Sequence, residues 1–353
     1  MDVLAVARQA LDTGAVCDPC LGRLVADRSH GLTNRARGKA LRTTVALADD
    51  DDFEPADDCW VCEGECDRYT VWAERAAAAL RNYEFETYQV GTTVPPLLAE
   101  NDRLLRVDAD LDEDAGETLK SELNREVGKR LGDLTGTTVD FRRPDVLVRL
   151  DLTADAVDVE VNSAFVYGRY RKLDRGIPQT EWPCRECSGT GVAAGATCSG
   201  CDGTGYRYDR SVEGLVAPHI RDAMDGSNAT FHGAGREDVD ARMLGTGRPF
   251  VVEVDEPRQR APDTERLEAR INEAADGAVE VEGLRLATYE MVERVKELDA
   301  SKTYRVAIRF DPPIAEAEFE AAIEVLDGAT IEQETPERVD HRRATKTRTR
   351  EVY

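Results

Sequence analysis

Four Cys-x-x-Cys pairs constrain this chain more than any other feature, because paired thiolates at that spacing dictate local backbone shape around an ion. Cys184-x2-Cys187 and Cys198-x2-Cys201 lie close together between Trp182 and Tyr206, with Gly189, Gly191, Gly200, Gly203 and Gly205 interspersed. Two such knuckles can wrap four sulfurs tetrahedrally around one ion, a geometry zinc accepts without electronic preference. Iron in a four-sulfur site fits the same spacing. The other two pairs, Cys17 with Cys20 and Cys59 with Cys62, stand much further apart, so the surrounding fold must bring them together. Cys66 is then either a substitute ligand or an unpaired buried thiol. Four thiolates leave no open coordination position, so both sites are expected to be structural, with one Zn2+ in each.

The compartment expected for such cysteines is reducing. Met1-Asp2-Val3-Leu4-Ala5 lacks the basic start and apolar run of a secretory leader, so the expected location is cytoplasmic and the nine cysteines read as ligands, not disulfides. No apolar run is long enough for a membrane span. At 353 residues the chain has room for about two cores. Its 70 acidic against 46 basic residues give a net charge of −24, a surface resembling that of halophilic archaeal proteins. Concentrated salt screens the self-repulsion of such a surface. A nucleic-acid partner would have to be held by local basic clusters, since long-range attraction is missing.

Helical and strand periodicities alternate along the chain. Tyr69 to Tyr83 and Thr118 to Leu131 read as helices, the second with Leu119, Leu123, Val127 and Leu131 on one face. Phe85–Thr92, Val146–Leu150 and Val157–Val161 alternate as strands. Further on, Ser211 to Asp225 and Pro262 to Ala275 read as helices, and Phe250–Val254 and Tyr304–Phe310 as strands. The class expected is α+β with a mixed, largely antiparallel sheet.

Two segments carry chemistry. Tyr167 to Thr180 is the densest basic and aromatic mixture in the chain, including Arg169, Tyr170, Arg171 and Lys172. Such a mixture suits RNA with unstacked bases, and equally an ordinary charged loop with its aromatics packed inward. Arg142 and Arg143 form a second basic pair, for phosphate contact or simple solvation. The second segment is His232-Gly-Ala-Gly-Arg-Glu-Asp-Val-Asp-Ala-Arg242, which sets the Asp238 carboxylate beside Arg236 on a glycine-rich loop. On composition alone it is a solvated surface loop, and it contains no nucleotide-binding fingerprint.

Together with Met243-Leu-Gly-Thr-Gly-Arg-Pro-Phe250, that loop resembles the catalytic signature of the archaeal tRNA pseudouridine synthases that act on T-loop uridines 54 and 55. The resemblance runs over nearly the whole chain. It implies a zinc module at 1–66, a THUMP-type RNA-binding domain at 67–162 and a catalytic domain at 163–353 with the knuckle 184–201 inserted. The function implied is isomerisation of uridine 54 and/or 55 in tRNA, with the T-arm as partner, no membrane and no protein partner. Rearrangement within one nucleoside needs no catalytic cofactor. Asp238 would be the nucleophile, at ribose C1′ or at uracil C6. Lys302-Thr303-Tyr304 matches the family's second motif, in which the tyrosine stacks on the uracil, while Arg236 would aid base extraction and Asp240 would orient the loop. A third motif, with a basic residue that pairs with the aspartate, has no match before Tyr353. That departure leaves open an impaired RNA-binding protein or tRNA chaperone of the same fold, and the chain is expected to be incomplete at its C-terminus.

Overall fold

A computed structural model describes residues 2–56, 58–298, 301, 303–334 and 347–352. It divides into two compact units, Met1–Leu298 and Asp299–Tyr353.

The first unit opens with α1 (Val3–Asp12), whose N-cap Asp2 accepts from the Leu4 amide, and continues through α2 (Asp18–Arg23) and α3 (Asn34–Asp49). Helices α2 and α3 approach backbone to backbone: a Cβ on Gly22 would meet the Asn34 carbonyl oxygen at 1.9 Å. Then come α4 (Tyr69–Leu80), β1 (Thr87–Thr93), α5 (Pro96–Asp108) and α6 (Leu119–Thr135), the last capped by Thr118. Strands β2 (Thr138–Val139), β3 (Val146–Asp151) and β4 (Ala156–Val161) complete a sheet of order β2-β1-β3-β4. In it β1 runs parallel to β2 and β3, and β4 antiparallel to β3. One apolar core runs continuously from Val6 to Leu152, so the cysteine-rich start and the sheet that follows bury their side chains together.

A second sheet begins with β5 (Ala164–Lys172), which buries every alternate residue. Next follow the small hairpin β6 (Val192–Ala193) and β7 (Ala196–Thr197), α7 (Val212–Ala223), β8 (Asn228–Gly233), the long β9 (Met243–Asp255), α8 (Thr264–Ala274), β10 (Val279–Ala287) and α9 (Tyr289–Glu297). The sheet order is β10-β5-β9-β8, antiparallel throughout. Helices α7 and α8 cover one face over Val166, Tyr170, Phe250 and Val252, and α9 packs on Val251 and Phe165 of the other. Glu84, Asp145 and Arg143 tie the two sheets into one body: Arg260 Nε lies 3.0 Å from Asp145, the Arg260 amide donates to Glu84 at 2.6 Å, and the Arg143 guanidinium sits 3.9 Å over the Tyr289 ring. The fold is therefore α+β as expected.

In the second unit α10 (Glu316–Glu324) precedes an antiparallel pair, β11 (Thr330–Gln333) and β12 (Arg348–Glu351). Tyr304–Phe310, expected as a strand, forms none: among the described residues no neighbour pairs with its backbone, and an alternating pattern becomes a strand only when one does. No described helix is long and apolar enough to cross a membrane.

Candidate functional site

The loop joining β8 to β9 carries Arg236, Asp238 and Asp240 outward, all exposed, over a foundation that is buried. Its turn depends on Gly235, whose φ of +73° favours glycine and whose Cα faces Arg248 Nη1 so closely that an added Cβ would stand 3.1 Å from it. Beneath, Lys172 at the end of β5 has its ammonium fully buried, donating to the carbonyls of Ile177 at 2.7 Å, Asp238 at 2.9 Å and Val239 at 3.2 Å. Glu237 points inward, opposite to Asp238. Its carboxylate accepts from the Tyr170 hydroxyl at 2.8 and 3.0 Å and lies 3.9 Å from Lys172 Nζ. Arg248 Nε stands 2.9 Å from it, at ion-pair distance though not aligned as a hydrogen bond. Gln179 closes the ring, donating to the Tyr170 hydroxyl at 2.8 Å and the Gly235 carbonyl at 2.9 Å. Burial, then the Glu237 charge, push the Tyr170 phenol well above its ordinary pKa, so it serves as a neutral donor. Burial lowers the Lys172 pKa, an effect that Glu237 opposes.

Not every residue expected to meet RNA can do so. Tyr170 and Lys172 are corrected here: both are fully buried, because β5 turns alternate side chains into the core and these two fall on its inner face. Arg169 and Arg171 fall on the other face. Arg169 donates to the Thr246 and Gly247 carbonyls at 2.6 and 2.8 Å, and Arg171 pairs with Glu280 at 2.8 Å. Arg142 and Arg143 are exposed, Arg143 stacked on Tyr289 as described. Tyr304 is 75% exposed in the second unit, and Lys302 lies outside the described residues. Glu237, Gln179 and Arg248 escaped the sequence reading. A signal existed: period-two alternation buries Lys172, and a buried lysine demands a carboxylate nearby.

Both cysteine sets converge. Cys184, Cys187, Cys198 and Cys201 lie with all sulfurs within 4.8 Å of one another, pairs 184/198 and 187/201 being 3.9 and 3.7 Å apart. Tetrahedral thiolates at metal–sulfur distances of about 2.3 Å stand about 3.8 Å apart, so the set fits a single ion. Amides of Gly191 and Gly205 donate to Cys187 and Cys201 sulfur, each at 3.2 Å. Burial acts against ionisation of Cys187, but the Gly191 and Gly189 amides and the facing thiols bring it down to about 6. The N-terminal set needs a correction. The four mutually close sulfurs are those of Cys17, Cys20, Cys62 and Cys66, with 17/62 at 3.7 Å and 20/66 at 4.0 Å. Cys59, expected as a ligand, instead sits beside the tetrad with its sulfur 3.5 Å from that of Cys20. The short 3-10 helix Glu65–Asp67 turns Cys66 inward, and residue spacing alone could not reveal that turn. We expect Cys66→Ser to lose the N-terminal ion and Cys59→Ser to keep it. Metal content of the two variants checks this, and the reverse order would restore Cys59 as the ligand.

Comparison with known proteins gives the site its context. The family described as "Pus10, C-terminal" matches residues 165–353, and that described as "Pus10 THUMP domain, archaeal" matches residues 72–151. Among curated relatives, a protein of Halorubrum lacusprofundi named "tRNA pseudouridine synthase Pus10" is 64% identical over 100% of this chain and 83% of its own length. Relatives of the same name from Methanothrix thermoacetophila and Pyrococcus furiosus are 41% and 34% identical, over 100% and 99% of this chain and 82% and 83% of theirs.

Proposed function

The chain belongs to the Pus10 family, and from that premise we propose that it is a tRNA pseudouridine synthase that isomerises uridine 54 and/or 55 of the T-loop with Asp238 as nucleophile. The observation that carries the reading is the division of labour within one loop. Glu237 and the Asp238 carbonyl are locked downward into the protein, while the Asp238 side chain is left exposed where a nucleotide can reach it.

The reaction breaks the bond between uracil N1 and ribose C1′, turns the base, and joins C5 to C1′. N1 gains a proton and C5 loses one, so nothing is oxidised or reduced. Asp238 supplies the negative oxygen for attack on C1′ or C6. Arg236, exposed two residues earlier, holds a phosphate or the space left by the flipped base. Tyr304 is the stacking partner for the uracil. Arg142, exposed on the turn between β2 and β3, adds a phosphate contact for the tRNA. Both thiolate tetrads hold Zn2+ and act structurally, having no open ligand position for substrate.

The test is a carbodiimide map of pseudouridine in tRNA transcripts incubated with the protein in concentrated KCl. Signal is expected at one or both of the two T-loop positions. Conversion elsewhere in the tRNA would move the target, and binding without conversion at any uridine would favour the RNA-chaperone reading.

A further inference from the structure

Lys172 makes three hydrogen bonds to three backbone carbonyls, of Ile177, Asp238 and Val239. A neutral amine has only two N–H groups, so this arrangement requires the ammonium form. The buried cluster then contains two cations, Lys172 and Arg248, and one carboxylate, Glu237, with Tyr170 and Gln179 neutral. Its net charge is +1, placed directly under the backbone of Asp238. Buried charge of this kind is little screened by salt, unlike the surface charges of a chain at −24.

We propose that Lys172 and Glu237 are positioning residues for the isomerisation: together they pin the loop from beneath, so that the Asp238 carboxylate is presented outward for attack. The inference rests on the reading of Asp238 as the reacting carboxylate. The groups that hold this loop from neighbouring elements are Lys172 of β5, Arg248 of β9 through Glu237, and Arg175 of the segment after β5, whose guanidinium donates to the Asp240 carbonyl. Among these, Lys172 bonds the Asp238 backbone itself.

Two variants separate positioning from general support. Lys172→Met removes the bonds to the Ile177, Asp238 and Val239 carbonyls, and Glu237→Gln removes the charge that pairs with Lys172 and Arg248 while keeping an acceptor for Tyr170. Single-turnover rates on a tRNA transcript should fall about tenfold or more in both, with tRNA affinity changed less than about threefold. Lys172→Arg, which keeps a donor at the same place, should recover most of the rate. If Lys172→Met does not fold, the loss of rate with affinity retained in Glu237→Gln decides the matter by itself. Unchanged rates, or rate and affinity falling together in both variants, would overturn the proposal. Failure of the underlying reading looks different: Asp238→Asn would then retain activity in the otherwise unaltered protein.

Discussion

Asp238→Ala is expected to lower the rate of pseudouridine formation by about 10⁴-fold or more, in line with removal of a nucleophile from other enzymes. Binding of tRNA should change by less than about threefold. The structure explains why the two effects should separate. The loop is held through the Asp238 carbonyl, which accepts from Lys172, and through the neighbouring Glu237 side chain, which engages Tyr170 and Arg248. Truncating the Asp238 side chain touches none of these bonds, and its exposed position means no cavity opens in the core. Thermal unfolding should accordingly move little. Chemistry is read by mapping and affinity by filter binding, both at high salt. A variant that still converts uridine would remove Asp238 from the nucleophile role, whereas one that also loses binding would make it a recognition residue.

Metal removal is the second large effect, and the two tetrads should respond differently. Cys20, Cys62 and Cys66 are embedded in the N-terminal core among Leu21, Val61 and Trp72. Arg23, itself fully buried, donates to Cys20 sulfur at 3.1 Å and pairs with Asp102 of α5 at 2.6 Å, which links the metal site to the helices behind it. Binding of a structural zinc is worth about 10–16 kcal/mol in small zinc domains, comparable with or greater than the 5–15 kcal/mol by which whole domains are stable. Stripping this ion should therefore melt much of the region from Val6 to Leu152. Among the described residues, Ala193 is the one apolar side chain outside the cysteines that packs against the second tetrad. Loss of that tetrad's ion should unfold the inserted hairpin and leave the β5–β10 sheet standing. We expect elemental analysis to give about two zinc per chain, one for each tetrad. After treatment with a strong chelator, hydrogen exchange should accelerate over the whole N-terminal core but only locally around the insertion. Equal protection before and after chelation would show that neither ion supports the fold.

Local chemistry was readable from the chain wherever neighbours in sequence are also neighbours in space. The knuckle from Cys184 to Cys201 needed only spacing and glycines, and its four sulfurs meet as the pattern requires. Helices beginning at Thr118 and Ser211 likewise follow from local hydrogen bonds, whereas the first helix, after Asp2, was not read from the sequence. The N-terminal tetrad was legible as a set but not in its membership. Cys59 and Cys66 are equivalent as residue types, and the turn at Glu65–Asp67 that brings Cys66 to the others belongs to the packed structure.

The candidate site divides along the same line. The sequence by itself determined that a glycine-bearing loop would expose an acidic residue near Arg236, that β5 would be dense in charge, and that thiolates would clamp two places in the chain. Only the tertiary structure decided which charges face water. Along a strand a shift of one residue exchanges core for surface, so Arg169 and Arg171 emerge while Tyr170 and Lys172 turn inward to meet Glu237, which comes from a loop far along the chain. Composition is blind to that pairing, because a buried ion pair is created by the approach of two distant segments and exists in neither of them alone.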